Sequence, residues 1–183
     1  TSPVLYPLRL VATIYTDLFR GLPLLLVLLL VGLGIPGLRI SWIPNSAVVL
    51  GTVALVLTYS AYVAEVIRAG IEGVNPTQRQ AARALGLSQS QTLEHVVLPQ
   101  AFRNVTPPLL NDLVSLQKDS GLISVLGAVD AIRAAGIQTA QSFNFTPYLV
   151  AGALFVLLTI PLTRFTDWLT RRQDARQRAQ GQW

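Results

Sequence analysis

Gln80 to Pro99 reads QAARALGLSQSQTLEHVVLP, a polar stretch set between two long apolar blocks. Its local signals are those of two short helices meeting at a glycine. Asn75 stands where an N-cap belongs, Pro76 takes the first helical position, and Gln78 is spaced to close a capping box. Gly86 supplies the left-handed residue that ends this first helix. Ser88 then caps a second helix, and Gln91 three residues on completes another box. The stretch is therefore expected to be a defined helix-turn-helix excursion, and what flanks it decides the fold.

The flanks are too apolar for water. Of 183 residues, 51% are hydrophobic and only 13% charged, where a soluble domain carries about 25%. Mean hydropathy is +0.50. Together with long uncharged runs, this predicts an all-α, polytopic membrane protein. The net charge of +5 suggests nucleic acid at first sight. The basic residues flank apolar runs instead of gathering on one soluble face, so membrane topology explains them and no nucleic-acid partner is expected. With no Cys and one His, a disulfide framework, a Cys-ligated metal site and a His cluster are all excluded.

Four spans are expected, at 17–38, 46–70, 104–128 and 147–170. Ser2 to Phe19 spaces its apolar residues as an interfacial helix. Gly21 to Leu38 follows without a charge, 18 residues, or about 27 Å of helix against roughly 30 Å of hydrocarbon. Pro36-Gly37 ends it, and Arg39 to Asn45 forms a short connection with Trp42 at interface level. The third span begins near Pro107-Pro108 and differs in kind. It carries Asn111, Asp112, Gln117, Lys118, Asp119 and Ser120, groups that must face other helices or a wet cavity, since a charge in the bilayer costs at least about 2.5 kcal/mol. Residues 130–144 are expected as a short helix and loop. Pro147 opens the last span, with a kink expected at Pro161, and 171–183 is a solvated basic tail.

Placing the polar excursion in the cytoplasm puts Arg9, Arg20, Arg68, Arg79, Arg83, Arg103, Arg164, Arg171, Arg172, Arg176 and Arg178 inside. Only Arg39 and Arg133 fall outside. The positive-inside rule favours this orientation, with a cytoplasmic C-terminus.

The excursion also resembles a known element. Gln80-Ala81-Ala82, three residues, Gly86, nine residues, then Val96-Val97-Leu98-Pro99 is similar to the EAA loop of ATP-binding-cassette (ABC) importer permeases, with Gln80 for Glu and Val96 for Ile. Tyr62 to Ile71, Ser115 to Ser120 and Phe19-Arg20-Gly21-Leu22-Pro23-Leu24-Leu25 resemble the polar-amino-acid branch of that family. The resemblance implies the type I importer permease fold. It further implies a parent of five spans, and the chain, which opens at Thr1 without Met, is expected to lack the first.

The resemblance implies that segment 73–99 couples the chain to a separate ATPase subunit, with Arg79, Gln80, Ala81, Ala82, Arg83, Leu85, Gly86 and Leu87 as the contact residues. Leu85 and Leu87 would anchor in a groove of the partner, the alanines would permit close approach, and Arg79 and Arg83 would meet acidic groups. The implied partners are two ABC ATPases, a second permease subunit, identical or homologous, and an extracytoplasmic solute-binding protein. The expected site is the bacterial inner membrane, and the expected cargo a polar amino acid.

Asn111, Asp112, Gln117, Lys118, Asp119 and Tyr62 are the candidates for the translocation path. For Lys118 and Asp119 two accounts stay open: mutual neutralisation with neighbours such as Asp112, or lining the path for an ammonium and a carboxylate. Packing accounts for most of the hydroxyls of Thr58, Tyr59, Ser60 and Tyr62. Glu65 and Arg68 read as a local ion pair, His95 as a surface or packing residue, and Asp167, Trp168 and Arg171 as interface anchors. No GxxxxGK[ST] and no nucleophile with its base occur, so no catalytic residue and no bound cofactor are expected. ATP and Mg²⁺ would belong to the partner ATPase. The rivals are an ATP-independent secondary transporter or channel and a non-transporting scaffold.

Overall fold

The structure, a computed structural model, describes residues 5–39 and 43–179, and every regular element among them is a helix. In chain order these are α1 (Tyr6–Gly21), α2 (Leu24–Gly37), α3 (Ala47–Glu72), α4 (Pro76–Ala84), α5 (Gln89–Leu126), α6 (Ala131–Ser142) and α7 (Thr146–Ala179). Trp42 and the last four residues of the basic tail lie outside the described residues. Two compact units result: Thr1–Tyr62 with Val114–Leu162, and Val63–Leu113 with Thr163–Trp183.

In the first unit α1 and α2 meet at 105°, because Pro23 follows the last turn of α1 and cannot continue its hydrogen bonds. The carbonyl of Pro23 instead opens α2, accepting from Leu26 N–H (2.9 Å) and Val27 N–H (3.2 Å). The expected interfacial helix is α1, whose Leu8, Val11, Ile14 and Leu18 are all exposed. The Tyr15 hydroxyl ties it to α3, donating to the Leu57 carbonyl at 2.8 Å with Ser60 Oγ at 2.5 Å. The core is Val27, Leu28 and Val31 of α2 against Leu50 and Ala54 of α3, flanked by Leu122, Ile123 and Leu126 from the 3₁₀ end of α5.

The second unit is built on Val74, Val97 and Ala101, with Ile71 packed against them. Gly70 is required here, because a Cβ on it would lie 2.1 Å from Val105 Cγ1. Two neighbours take consecutive carbonyls near the end of α3. Asn104 Nδ2 donates to Gly70 O at 3.3 Å, and Arg79 Nη2 to Ile71 O at 2.5 Å. Arg68 pairs with Glu65 and with Glu72, the latter at 2.8 Å, the local cluster that i,i+3 and i,i+4 spacing allows.

Two helix ends depart from expectation. The second short helix does not stop before Pro99, nor does a new one start at Pro107. α5 runs on from Gln89 as an α-turn, a π-helical stretch over Leu93–Val97, and α-helix over Leu98–Asp119. The wide π turn, in which Leu98 N–H bonds Leu93 O, sits immediately before Pro99 and accommodates its missing donor. Pro107 and Pro108 lie inside the helix and take away the N–H donors that the Arg103 and Asn104 carbonyls would otherwise receive, while the Thr106 hydroxyl adds a bond to Phe102 O at 2.7 Å. Likewise α7 continues past residue 170 to Ala179, so the basic tail begins as helix. There Phe165 stacks on Trp168 at 6.2 Å, and Arg172 lies 5.2 Å over the indole.

α3 and residues Thr146–Gln173 of α7 are each long and apolar enough to cross a membrane; the pairs α1 with α2, and α5 with α6, pass the same test together. On α7, Leu149, Leu157 and Leu158 are exposed, as lipid-facing side chains must be.

Candidate functional site

Segment 73–99, the predicted coupling element, is closed by local hydrogen bonds at each turn. Asn75 Oδ1 caps α4 by accepting from Thr77 N–H (3.0 Å) and the Thr77 hydroxyl (2.7 Å). Thr77, not Gln78, thus completes this cap, since the threonine delivers two donors to one oxygen. At the other end the chain closes a full Schellman turn: Leu87 N–H bonds Ala82 O at 3.2 Å and Gly86 N–H bonds Arg83 O at 3.1 Å. Gly86 sits at φ +89°, where a Cβ is strained. Arg83 Nη1 reinforces the turn by donating to Leu87 O at 3.1 Å. Ser88 and Gln91 then form the reciprocal capping box that starts α5, at 3.2 and 2.9 Å.

The predicted contact residues divide by facing. Leu85 is 82% exposed, Gln80, Ala81 and Arg83 are exposed, and Leu87 is half-buried. Ala82 is 5% exposed, packed into its own unit, so it does not offer close approach to another protein. Arg79 is half-buried and bonded to Ile71 O, which makes it first of all a brace between α4 and α3. A shallow concavity of about 330 Å³ lies beside the turn, lined by Leu85, Gly86, Leu87, Gln91 and His95. His95 is exposed, with Nδ1 3.0 Å from Gln91 O.

Among the polar residues of α5, two find neutral partners in the first unit. Asp119 Oδ2 accepts from the Tyr59 hydroxyl at 2.7 Å, and Gln117 Oε1 from the Thr159 hydroxyl at 2.9 Å. Tyr62 packs edge-on to Tyr59 at 5.8 Å, which brings Tyr59, Tyr62 and Asp119 into one group. Lys118 is exposed, and among the described residues no ion pair joins it to Asp119. In the second unit Asn111 is exposed, while Asp112 keeps one buried oxygen, Oδ2, with no hydrogen-bond partner among the described residues. Tyr59 was read from the sequence as packing, where its hydroxyl instead donates to Asp119, and Thr159 was not singled out. The available signal was a hydroxyl in an apolar run, which in lipid needs an acceptor.

Comparison with known proteins places this geometry. Residues 6–177 match the family model described as the inner membrane component of binding-protein-dependent transport systems. The arginine transport system permease protein ArtQ of Bacillus subtilis is 38% identical over 154 residues, covering 84% of this chain and 69% of that protein. A probable glutamine ABC transporter permease protein of the same organism, GlnM, is 36% identical over 93% of this chain and 78% of its own length. A putative glutamine transport system permease protein, GlnP of Rickettsia conorii, is 41% identical over 84% of this chain and 70% of its own. The crystal structure of an amino acid ABC transporter with histidines superposes with a TM-score of 0.85 at 37% identity, covering 94% of this chain and 78% of that one. Helices, apolar spans and similarity over nearly the whole length agree: the chain belongs to the family of integral inner-membrane components of binding-protein-dependent transport systems, the permease subunits of ABC importers.

Proposed function

We propose that this permease imports a polar amino acid and that segment 73–99 couples it to a separate ATPase. One observation carries the coupling: α4 is closed at both ends by side-chain and backbone caps, and it presents Leu85, 82% exposed, beside the Gly86 turn. A capped helix moves as a body, so displacement by a docked partner is passed on instead of being absorbed in fraying. An exposed leucine next to a fixed turn is the kind of anchor a partner groove accepts. Gln80, Ala81 and Arg83 are exposed near it, and Leu87 is half-buried beside the same turn.

The amino-acid cargo is supported by the similar proteins, which are named for arginine, for glutamine and for amino acids. Opposite and neutral polar groups on α5 suit a zwitterion: Asp119, steadied by Tyr59, for the ammonium, and Lys118 for the carboxylate, with Gln117, Tyr62, Asn111 and Asp112 as further polar lining. ATP and Mg²⁺ bind to the partner ATPase and not to this chain. Two permease subunits form the path, a solute-binding protein delivers the cargo from outside, and the C-terminus faces the cytoplasm. ATP-driven closure of the ATPases pushes the turn at Gly86, and the spans re-expose the site on the other side.

The test is uptake of radiolabelled arginine, glutamine and histidine by vesicles that hold the full transporter with its binding protein. ATP inside should raise uptake of at least one of them at least tenfold. Equal uptake without ATP, driven by an ion gradient, would identify a secondary transporter instead.

A further inference from the structure

Beside α4 lies a second groove, and polar atoms of its lining find no partner among the described residues. It measures about 340 Å³ and is lined by Arg79 and Arg83 of α4 and by Gln89, Thr92, Leu93 and Val97 of α5. Two of these residues carry a buried polar atom with no hydrogen-bond partner among the described residues: Arg79 Nε and Thr92 Oγ1. Thr92 is only 5% exposed. Buried donors are nearly always paired, so two of them around one groove call for an acceptor. Arg83 adds a third donor, because its bond to Leu87 O uses Nη1 alone of its nitrogens.

The segment has no acceptor of its own to offer at full charge. Between Glu72 and Glu94 the sequence holds two arginines and not one Asp or Glu, and Glu72 is engaged by Arg68. We propose that the groove is a receptor for a single carboxylate, the Asp or Glu side chain of the ATPase docked on this segment. The carboxylate accepts from Arg79 Nε, the Thr92 hydroxyl and Arg83, while its methylene stem lies on Leu93 and Val97. A groove with one apolar wall suits an acid on a short stem better than a phosphodiester, whose two ester arms would both have to be housed. The proposal rests on the docking of an ATPase at this segment and says which contact holds it in register.

The experiment uses the assembled transporter. Lys118 is the only lysine of the chain, so R83K places a single new amine at the groove. A zero-length carbodiimide should join that amine to the ATPase subunit, and mass spectrometry should map the bond to one Asp or Glu. Adding T92V, which removes the hydroxyl at nearly constant volume, should lower the adduct yield several-fold. T92V alone should lower solute-stimulated ATP hydrolysis by about tenfold, the scale of one charge-assisted hydrogen bond. R79K serves as the second amine-bearing variant if R83K does not assemble. Co-purification of the ATPase with no adduct, an adduct to an acid of this chain, or a yield indifferent to T92V would overturn the groove while leaving docking intact. An ATPase that does not co-purify with the unaltered chain would remove the docking reading itself, and the groove with it. In vesicles of phosphatidylethanolamine with and without phosphatidylglycerol, a T92V effect seen only with the anionic lipid would assign the groove to a headgroup and overturn the proposal.

Discussion

Single residues carry most of what segment 73–99 is proposed to do. Gly86 holds φ +89° with open space where a Cβ would stand, so a substitution there is opposed by backbone conformation and not by a clash. Gly86→Pro cannot adopt a positive φ at all, and we expect it to abolish solute-stimulated ATP hydrolysis while leaving membrane insertion unchanged. Gly86→Asn, which tolerates the left-handed region, should keep most of it. Hydrolysis at the normal rate in Gly86→Pro would count against the role of the turn. At this scale much was legible. The Asn75 and Ser88 caps, the Gln91 box and the left-handed glycine follow from chemistry confined to a few neighbouring residues. The Tyr59–Asp119 bond was not legible, because its partners stand 60 positions apart and nothing local marks the pairing.

At the scale of elements, facing is what the sequence leaves open. The EAA-like spacing treats Ala81 and Ala82 alike, yet one is exposed and the other buried. Ala82→Leu should therefore overpack the second unit, costing about 1–3 kcal/mol and lowering the melting temperature of the purified protein. Ala81→Leu should leave melting nearly unchanged and weaken co-purification of the ATPase. Equal melting losses in both would mean that α4 is turned differently from the structure described. The continuity of α5 was also hidden. Pro99, Pro107 and Pro108 each argue locally for a helix end, yet the helix runs through all three, with a π turn before Pro99 that no single-residue propensity reports.

For the whole molecule, membrane orientation is the open quantity with a direct test. The chain has no cysteine, so each one introduced is a unique label. In right-side-out vesicles an impermeant maleimide should modify Phe143→Cys, at a position 90% exposed, and spare Ser88→Cys in segment 73–99. The reverse pattern would invert the topology drawn from the arginines. The helical class and the family were readable because hydropathy and the loop spacing extend over many residues. Solute choice was not, since proteins named for arginine and for glutamine are similar to this chain at 38%, 36% and 41% identity; cargo depends on a few side chains inside a shared frame.

The foot of α3 is gripped on adjoining rungs, Gly70 by Asn104 and Ile71 by Arg79. Arg79 belongs to α4 and Asn104 to α5, so a displacement of α4 would load the guanidinium bond first and the carboxamide bond one residue back only afterwards. A stroke delivered to α4, as proposed above, would therefore act on two hydrogen bonds at the foot of α3. Under the coupling proposed above, a small displacement of α4 would leave both bonds in place, and only one large enough to drag the foot of α3 along would pass beyond them.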